Sequence, residues 1–188
     1  RVKLKILPGY DVEPLAAVRA EFPHIALWAD ANGSYVADDL DGLRALDDFD
    51  LGLVEQPLAE DDVIGHAAVA GAIRTPVCLD ESITSARVAE QAIELGACSI
   101  VNIKAARVGG LHEAVRVHAA CRDRDVPVWC GGMLETGIGR AANLALASLP
   151  GFSPPGDLSA SDRYFTRDIN AEPFTLESDG TVAVPTGP

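Results

Sequence analysis

The sequence predicts an α/β fold organised around one parallel sheet, and three observations carry that prediction. Short apolar runs alternate with longer segments of helical period from one end of the chain to the other. The runs read as continuous hydrophobic stretches, the pattern of parallel strands covered on both faces. The first carries Lys3 and Lys5 and each of the next four ends on an ionisable side chain, and Lys5, Asp30, Glu55, Asp80 and Lys104 follow one another at intervals of 25, 25, 25 and 24 residues.

The strand candidates lie at 1–7, 24–30, 51–55, 76–80, 98–104 and 126–132, with a less regular seventh at 151–157. Helical segments fall between them at 13–22, 37–49, 62–73, 85–95, 111–124 and 138–149. The fifth shows the pattern well: Leu111, Ala114, Val115, His118 and Ala119 recur at three- and four-residue steps after Gly109-Gly110, and Pro127 follows its end. The tail differs. An Asp179-Gly180 pair between 174–177 and 181–184 reads as the turn of a hairpin.

Composition narrows the function classes. The chain has 188 residues, 48% of them hydrophobic, with 28 acidic against 15 basic side chains and a net charge of −13. A domain of this size buries roughly 70% of its unfolded surface, so a real core is expected and disorder is not. The acidity argues against nucleic acid or an anionic membrane as partner, since a phosphate-binding face needs Lys and Arg in excess. No run approaches the ~18 to 20 apolar residues of a membrane span, and the start does not resemble a signal peptide. Cys78, Cys98, Cys121 and Cys130 follow no metal spacing and read as buried, reduced thiols, which suits the cytoplasm. His112 and His118, six apart, do not share a helix face as metal ligands would. No linker divides the chain, so residues 1–188 form one domain. Asp38, Asp39, Asp41, Asp47, Asp48 and Asp50 read as the solvated face of one helix.

The charged strand ends carry the chemistry. If the sheet closes into a (β/α)₈ barrel, all carboxyl ends meet at one mouth, where active sites sit. Asp30, Glu55 and Asp80 then come from three neighbouring strands, and Lys5 and Lys104 face each other from half a circumference apart. Three clustered carboxylates repel one another unless a cation sits among them. Hard oxygen donors without His or Cys favour Mg²⁺. Two amines flanking a metal-bound carboxylate suit removal of the proton on its α-carbon, with the metal stabilising the enediolate. Lysine needs a lowered pKa to act as a base. Lys3, on the same strand face as Lys5, and the metal itself supply positive charge there, and Arg107 would do the same for Lys104. Ordinary ion pairs would explain any one of these residues, but five at one mouth favour the catalytic reading.

The residues that make this argument also resemble a known family. Lys3-Leu-Lys5, Asp30-Ala-Asn32, Val54-Glu55-Gln56-Pro57, Asp80-Glu81-Ser82 and Lys104 are similar to the motifs of the enolase superfamily, in its muconate-lactonizing-enzyme subgroup. Residues 102–110 and 131–140 look most like those of the o-succinylbenzoate synthases and the related N-acylamino acid racemases. The resemblance implies Lys5 as the base and Lys104 as the opposite acid/base, or as a cation that stabilises the enediolate. It implies Asp30, Glu55 and Asp80 as Mg²⁺ ligands, with Asn32 in support. Gly131 and Gly132 would offer backbone N–H groups to the remote end of the substrate, a small carboxylate, and Met133 and Leu134 would form pocket wall. The implied reaction is dehydration of a succinyl-hydroxycyclohexadiene carboxylate to o-succinylbenzoate, a step toward menaquinone. The alternative is racemisation of an N-succinylamino acid by both lysines, or both activities together. Two remoter readings stay open: a Schiff-base lyase using Lys104, and a catalytically silent barrel piece.

A complete (β/α)₈ barrel typically takes about 250 residues, and this sequence starts at Arg1 without a methionine. The expectation is an incomplete barrel comprising strands two to eight. The resemblance adds that a capping α+β domain is absent, that the tail at 171–188 packs on that cap, and that the full-length protein is a homo-oligomer. Little or no activity is expected of these 188 residues alone.

Overall fold

The computed structural model describes residues 1–185. Six strands form one all-parallel sheet in sequence order: β1 Val2–Lys5, β2 Leu27–Asp30, β3 Leu53–Glu55, β4 Val77–Leu79, β5 Ile100–Ile103 and β6 Val128–Cys130. Helices connect them: α1 Val12–Glu21, α2 Leu40–Ala45, α3 Val63–Ala72, α4 Ala86–Glu94 and α5 Leu111–Arg122, with α6 Gly137–Ala147 following β6. Among the described residues, no helix is long and apolar enough to cross a membrane. β4 and β6 each start one residue after a proline, whose ring nitrogen has no hydrogen to donate. The Pro76 and Pro127 carbonyls still accept from Val54 and Val101 of the neighbouring strands. Side-chain caps mark several helix starts: Asp11 accepts from the Val12 N–H, Asp62 from Gly65 and Ser85 from Val88.

Strand side chains alternate between two faces with a period of two. Leu27, Ala29, Val54, Val77, Leu79, Val101, Ile103, Val128 and Cys130 join one large core shared with the helices. The opposite face carries a small second cluster of Trp28, Leu53, Cys78 and Trp129. One step nearer the carboxyl ends, the same parity places Lys5, Asp30, Glu55, Asp80 and Lys104 on that inner face. The strands are therefore not apolar on both sides. Their inner side turns from hydrophobic to ionic as it approaches the mouth.

The sheet is curled into part of a barrel. In a flat sheet β2 and β6 would lie roughly 19 Å apart, at about 4.8 Å per neighbour, yet the Trp28 and Trp129 rings stand 5.3 Å apart in an edge-on arrangement. Among the described residues, six strands are formed instead of the seven expected. The run at 151–157 contributes a single parallel bridge, Asp157 to Gly131, with the Asp157 N–H donating to the Cys130 carbonyl. On its other side this segment meets β1 through side chains. The Arg1 guanidinium donates to the carbonyls of Pro155 and Gly156, and the Lys3 ammonium lies 3.0 Å from Asp157. The curled half-barrel is thus joined across its seam by ion pairs and carbonyl contacts.

Two further expectations change. The helix expected over 37–49 shortens to α2 and tightens into a 3₁₀ turn, Leu46–Phe49, that ends at Asp50 in the left-handed region. Gly42 and a run of Asp residues are weak helix formers, and the chain yields there. Asp47 in that turn is more than a solvated charge. Its carboxylate accepts from the backbone N–H groups of Arg74 and Thr75 and from the Thr75 hydroxyl, anchoring the turn to the entry of β4. The tail hairpin is reduced to its turn: Glu177 donates to the Thr181 carbonyl, Gly180 takes φ +83°, and no strand is formed on either side. The turn chemistry is local, whereas strands need a partner surface. Residues 186–188 of that predicted tail lie outside the described residues.

Candidate active site

Five strand ends bring the site together. In the register Lys5 pairs with Asp30 and Asp30 with Glu55, so these three stand side by side on neighbouring strands. Glu55 then pairs with Cys78, which puts Asp80 two residues further toward the mouth. That offset divides the charges into two groups.

The first group centres on Lys3. Its ammonium reaches Glu55 at 2.9 Å, Asp157 at 3.0 Å and Asp30 at 3.2 Å. Lys5 binds the same Asp30 oxygen at 2.7 Å and also donates to the Asn32 side-chain carbonyl. Lys3 and Lys5 are therefore immediate neighbours, as the sequence suggests, but both are balanced by carboxylates. Asp30 is buried, which raises its pKa. Hydrogen bonding from Lys5 and the charge of Lys3 outweigh that, and its carboxyl is held below the ordinary value. Glu55 is fully buried. Burial and the nearby Asp30 push its pKa up to about 7 against the opposing pull of Lys3. Burial would lower Lys3, yet Glu55 and the two aspartates outweigh it and raise its pKa. Both members of the Lys3–Glu55 pair rise, Glu55 mainly through burial and Lys3 through the carboxylates that face it.

The second group centres on Asp80. Lys104 lies 2.5 Å from one of its oxygens and Arg107 holds the other. Burial nonetheless raises the Asp80 carboxyl. Arg107 thus stands beside Lys104, with one carboxylate between the two cations.

Two buried amides brace the groups, Asn102 the first and Gln56 the second, and sequence reasoning assigned neither a role. Asn102 on β5 donates to Glu55 at 2.7 Å and accepts the Gly131 N–H at 2.8 Å. Gln56, in the left-handed region at φ +42°, accepts the N–H groups of Asp80 and Ser82 and donates to the Leu58 carbonyl and the Ser82 hydroxyl. Both sit at 0–1% exposure. For Asn102 the available signal was a polar side chain within the apolar run of β5; Gln56 follows the end of β3.

The glycines take a different part from the one expected. The Gly131 N–H is held by Asn102 and that of Gly132 by the Asp157 carbonyl at 3.1 Å, so both are engaged within the chain. What the missing side chains provide is clearance. A Cβ on Gly131 would stand 2.6 Å from Lys104 Cε, and one on Gly132 would stand 2.2 Å from the Asp157 oxygen. Met133 and Leu134 are largely exposed and line an apolar cavity of about 420 Å³ with Ala105 and Ala106, the residues after Lys104. Glu135 accepts from the Met133 N–H and the Asn143 amide, and so shapes this loop.

Asp30, Glu55 and Asp80 form an all-carboxylate donor set whose chemistry fits a hard divalent cation. Burial first, and then the neighbouring Asp30, raise Glu55 within this set. Here the same oxygens accept from Lys3, Lys5, Lys104 and Arg107. Among the described residues, no three His, Cys, Asp or Glu side chains are grouped closely enough to ligate one ion.

Comparison with known proteins places this geometry in context. The model of the enolase C-terminal domain-like family matches residues 1–188. An N-succinylamino acid racemase of Amycolatopsis sp is 60% identical over 189 residues, covering 100% of this chain and 51% of its own length. An o-succinylbenzoate synthase of Enterococcus faecalis is 51% identical, again covering 100% and 51%. The chain therefore spans about half the length of the curated relatives it matches. Among solved structures, an unknown member of the enolase superfamily from Enterococcus faecalis superposes with a TM-score of 0.93 at 51% identity, over 98% of this chain and 50% of its own. A dipeptide epimerase of Enterococcus faecalis, solved with Mg and the dipeptide L-Leu-L-Tyr, gives a TM-score of 0.86 at 27% identity, over 97% and 53%.

Proposed function

We propose a function that proceeds from one fact: the chain belongs to the enolase C-terminal domain-like family. The reaction is removal of a proton next to the carboxylate of a small organic acid, and its first assignment is o-succinylbenzoate synthase. Lys5 takes the α-proton. Lys104, from a strand four positions further round the sheet, acts on the opposite face as a cation or a proton carrier. Asp30, Glu55 and Asp80 hold the divalent cation, Mg²⁺. When bound, that cation would engage the substrate carboxylate and stabilise the charge that builds on it. Asn32 anchors Lys5, Arg107 tunes Lys104, and the cavity beside Met133 takes the remote end of the substrate.

The observation that carries this reading is the segregation of the two lysines: Lys5 is paired with Asp30 and Lys104 with Asp80, with Glu55 between them. An amine on each side of a carboxylate arc is what α-proton chemistry needs. The dehydration needs only one base. A second reading, N-succinylamino acid racemase, is favoured by Arg107, which shares Asp80 with Lys104 and so stands where it can ease proton transfer at that lysine. The 60% identical relative carries that name.

The test uses the full-length protein, assayed side by side for dehydration of the cyclohexadiene carboxylate and for racemisation of N-succinylamino acids, with Mg²⁺ and with EDTA. Turnover of either substrate that EDTA abolishes supports the assignment. Activity that survives EDTA, with substrate trapped on Lys104 by borohydride, points to the Schiff-base alternative. Absence of both reactions with Mg²⁺ present removes the assignment.

A further inference from the structure

We infer that Glu81 is a positioning residue for Lys5, acting through Asn32. The inference rests on the proton-transfer reading above and adds a residue to it.

Glu81 lies in the loop after β4, Asn32 in the loop after β2, and Lys5 at the end of β1. They form one chain of hydrogen bonds across these elements. The Asn32 amide nitrogen donates to Glu81 at 2.9 Å, and its carbonyl oxygen accepts from the Lys5 ammonium. A carboxylate can only accept and an ammonium can only donate. The amide therefore has a single satisfactory orientation, with oxygen toward Lys5 and nitrogen toward Glu81. Its backbone is fixed as well: Asn32 sits at φ +44°, a region Asn tolerates better than most residues, and its N–H donates to Asp30 at 3.2 Å.

Lys5 needs such a guide. Its side chain is 67% exposed, and a lysine has four rotatable bonds to hold. Its other partner, Asp30, is shared with Lys3 and belongs to the proposed cation ligands. That leaves Asn32 as the anchor specific to Lys5. A neutral carbonyl suits a base, because it accepts from the amine as well as from the ammonium and does not trap the proton as an adjacent carboxylate would. Glu81 then supplies its charge one residue further away, where it orients the amide without touching Lys5.

The packing also points to a role. One Glu81 oxygen is buried without a hydrogen-bond partner, one of only two such side-chain atoms among the described residues. Glu81 as a whole is half-buried, so one of its oxygens meets Asn32 at the surface while the other is held in the interior without a partner, a cost that a structural surface residue would avoid.

The experiment compares Glu81→Ala and Glu81→Gln with the parent in the full-length protein loaded with Mg²⁺. Exchange of the α-proton with D₂O is followed separately for the two enantiomers of an N-succinylamino acid. Glu81→Ala should slow exchange about 10- to 100-fold for the enantiomer that presents its proton to Lys5, the scale expected of a displaced reacting group. The other enantiomer should change less than about threefold, and KM should hardly move. Glu81→Gln keeps an acceptor for the Asn32 nitrogen and should restore most of the rate. Equal loss for both enantiomers, or no loss, overturns the inference.

A second measurement is independent of turnover. Limited acetylation, read by mass spectrometry, should modify Lys5 severalfold faster in Glu81→Ala than in the parent, with Lys104 as internal reference. An unchanged Lys5 to Lys104 ratio overturns the inference. If the parent exchanges neither enantiomer, the racemase reading falls while the synthase assignment is judged by its own dehydration assay, and the acetylation ratio alone decides the role of Glu81.

Discussion

Replacing Gly131 with alanine adds one methyl group at the point where side chains of β5 and β6 cross. Gly131 has an ordinary backbone conformation, so the substitution brings no backbone strain. The new Cβ would meet Lys104 Cε and the Asn102 amide nitrogen at 2.6 Å and the Asn102 oxygen at 2.7 Å. Carbon contacts are comfortable at about 3.5 to 4.0 Å, so the neighbours must retreat by roughly 1 Å. Lys104 can swing its tip aside. Asn102 cannot, because it is buried between Glu55 and the Gly131 N–H. Loosening one neutral hydrogen bond and one to a carboxylate costs about 2 to 4 kcal/mol together. A displacement of about 1 Å in a reacting group is worth about 10²-fold in rate. Gly131→Ala should therefore lower unfolding free energy in urea by about 2 to 4 kcal/mol. It should also slow α-proton exchange most for the enantiomer facing Lys104. A variant within about 0.5 kcal/mol of the parent, with unchanged exchange, would refute the crowding argument.

Three further outcomes are expected. Burial and Asp30 raise Glu55 to about 7 from its ordinary 4.5, so its contribution to stability is fully present below the unfolded value and is lost as pH rises through about 7. Asp30, held low by Lys5 and Lys3 despite its burial, acts in the opposite sense and only at more acid pH. In EDTA the melting temperature should fall between about pH 5 and 8, and Mg²⁺ should restore it most at the alkaline end. A rise with pH in EDTA would count against this assignment of charge. Gln56→Leu strands the N–H groups of Asp80 and Ser82 and should cost about 2 to 6 kcal/mol in urea titration; a loss below about 1 kcal/mol would show that the turn finds other partners. The four thiols are buried, which holds Cys98, Cys121 and Cys130 at about 12 and Cys78 well above its ordinary value. Iodoacetamide at neutral pH should label none of them in the folded protein and all four after unfolding, as counted by mass spectrometry.

The charged residues were legible in the sequence because their spacing is imposed by architecture. One strand, one helix and two short loops take about 25 residues, and a side chain at the carboxyl end of each unit returns to the same mouth. Parity along each strand then selects the inner face, which is why Lys3 and Lys5 travel together. Which carboxylate meets which cation was not legible. That depends on the register, and the step between Glu55 and Cys78 sends Asp80 to Lys104 and Arg107 and leaves Asp30 with Lys3 and Lys5. Asn102 and Gln56 were hidden for another reason. A single amide, inside an apolar run like Asn102 or just beyond one like Gln56, has no periodicity, and its value appears only when distant parts of the chain supply partners. The Asp179-Gly180 turn forms because its hydrogen bonds are local, while the strands beside it depend on surface that local chemistry does not provide.

Both tryptophans of the chain, Trp28 and Trp129, share the inner cluster, with their rings 5.3 Å apart. The indole N–H of Trp129 points at the Cys78 sulfur 3.3 Å away, and the Arg1 guanidinium lies 4.1 Å from the Trp28 ring. Two indoles this close couple their electronic transitions, and a neighbouring thiol quenches their emission. The curled sheet thus has a built-in optical reporter that needs no label. Closed, it is expected to give an exciton-split circular dichroism signal in the strong far-ultraviolet indole band, with weak fluorescence. Opening the sheet separates the rings, so the split collapses and the emission brightens.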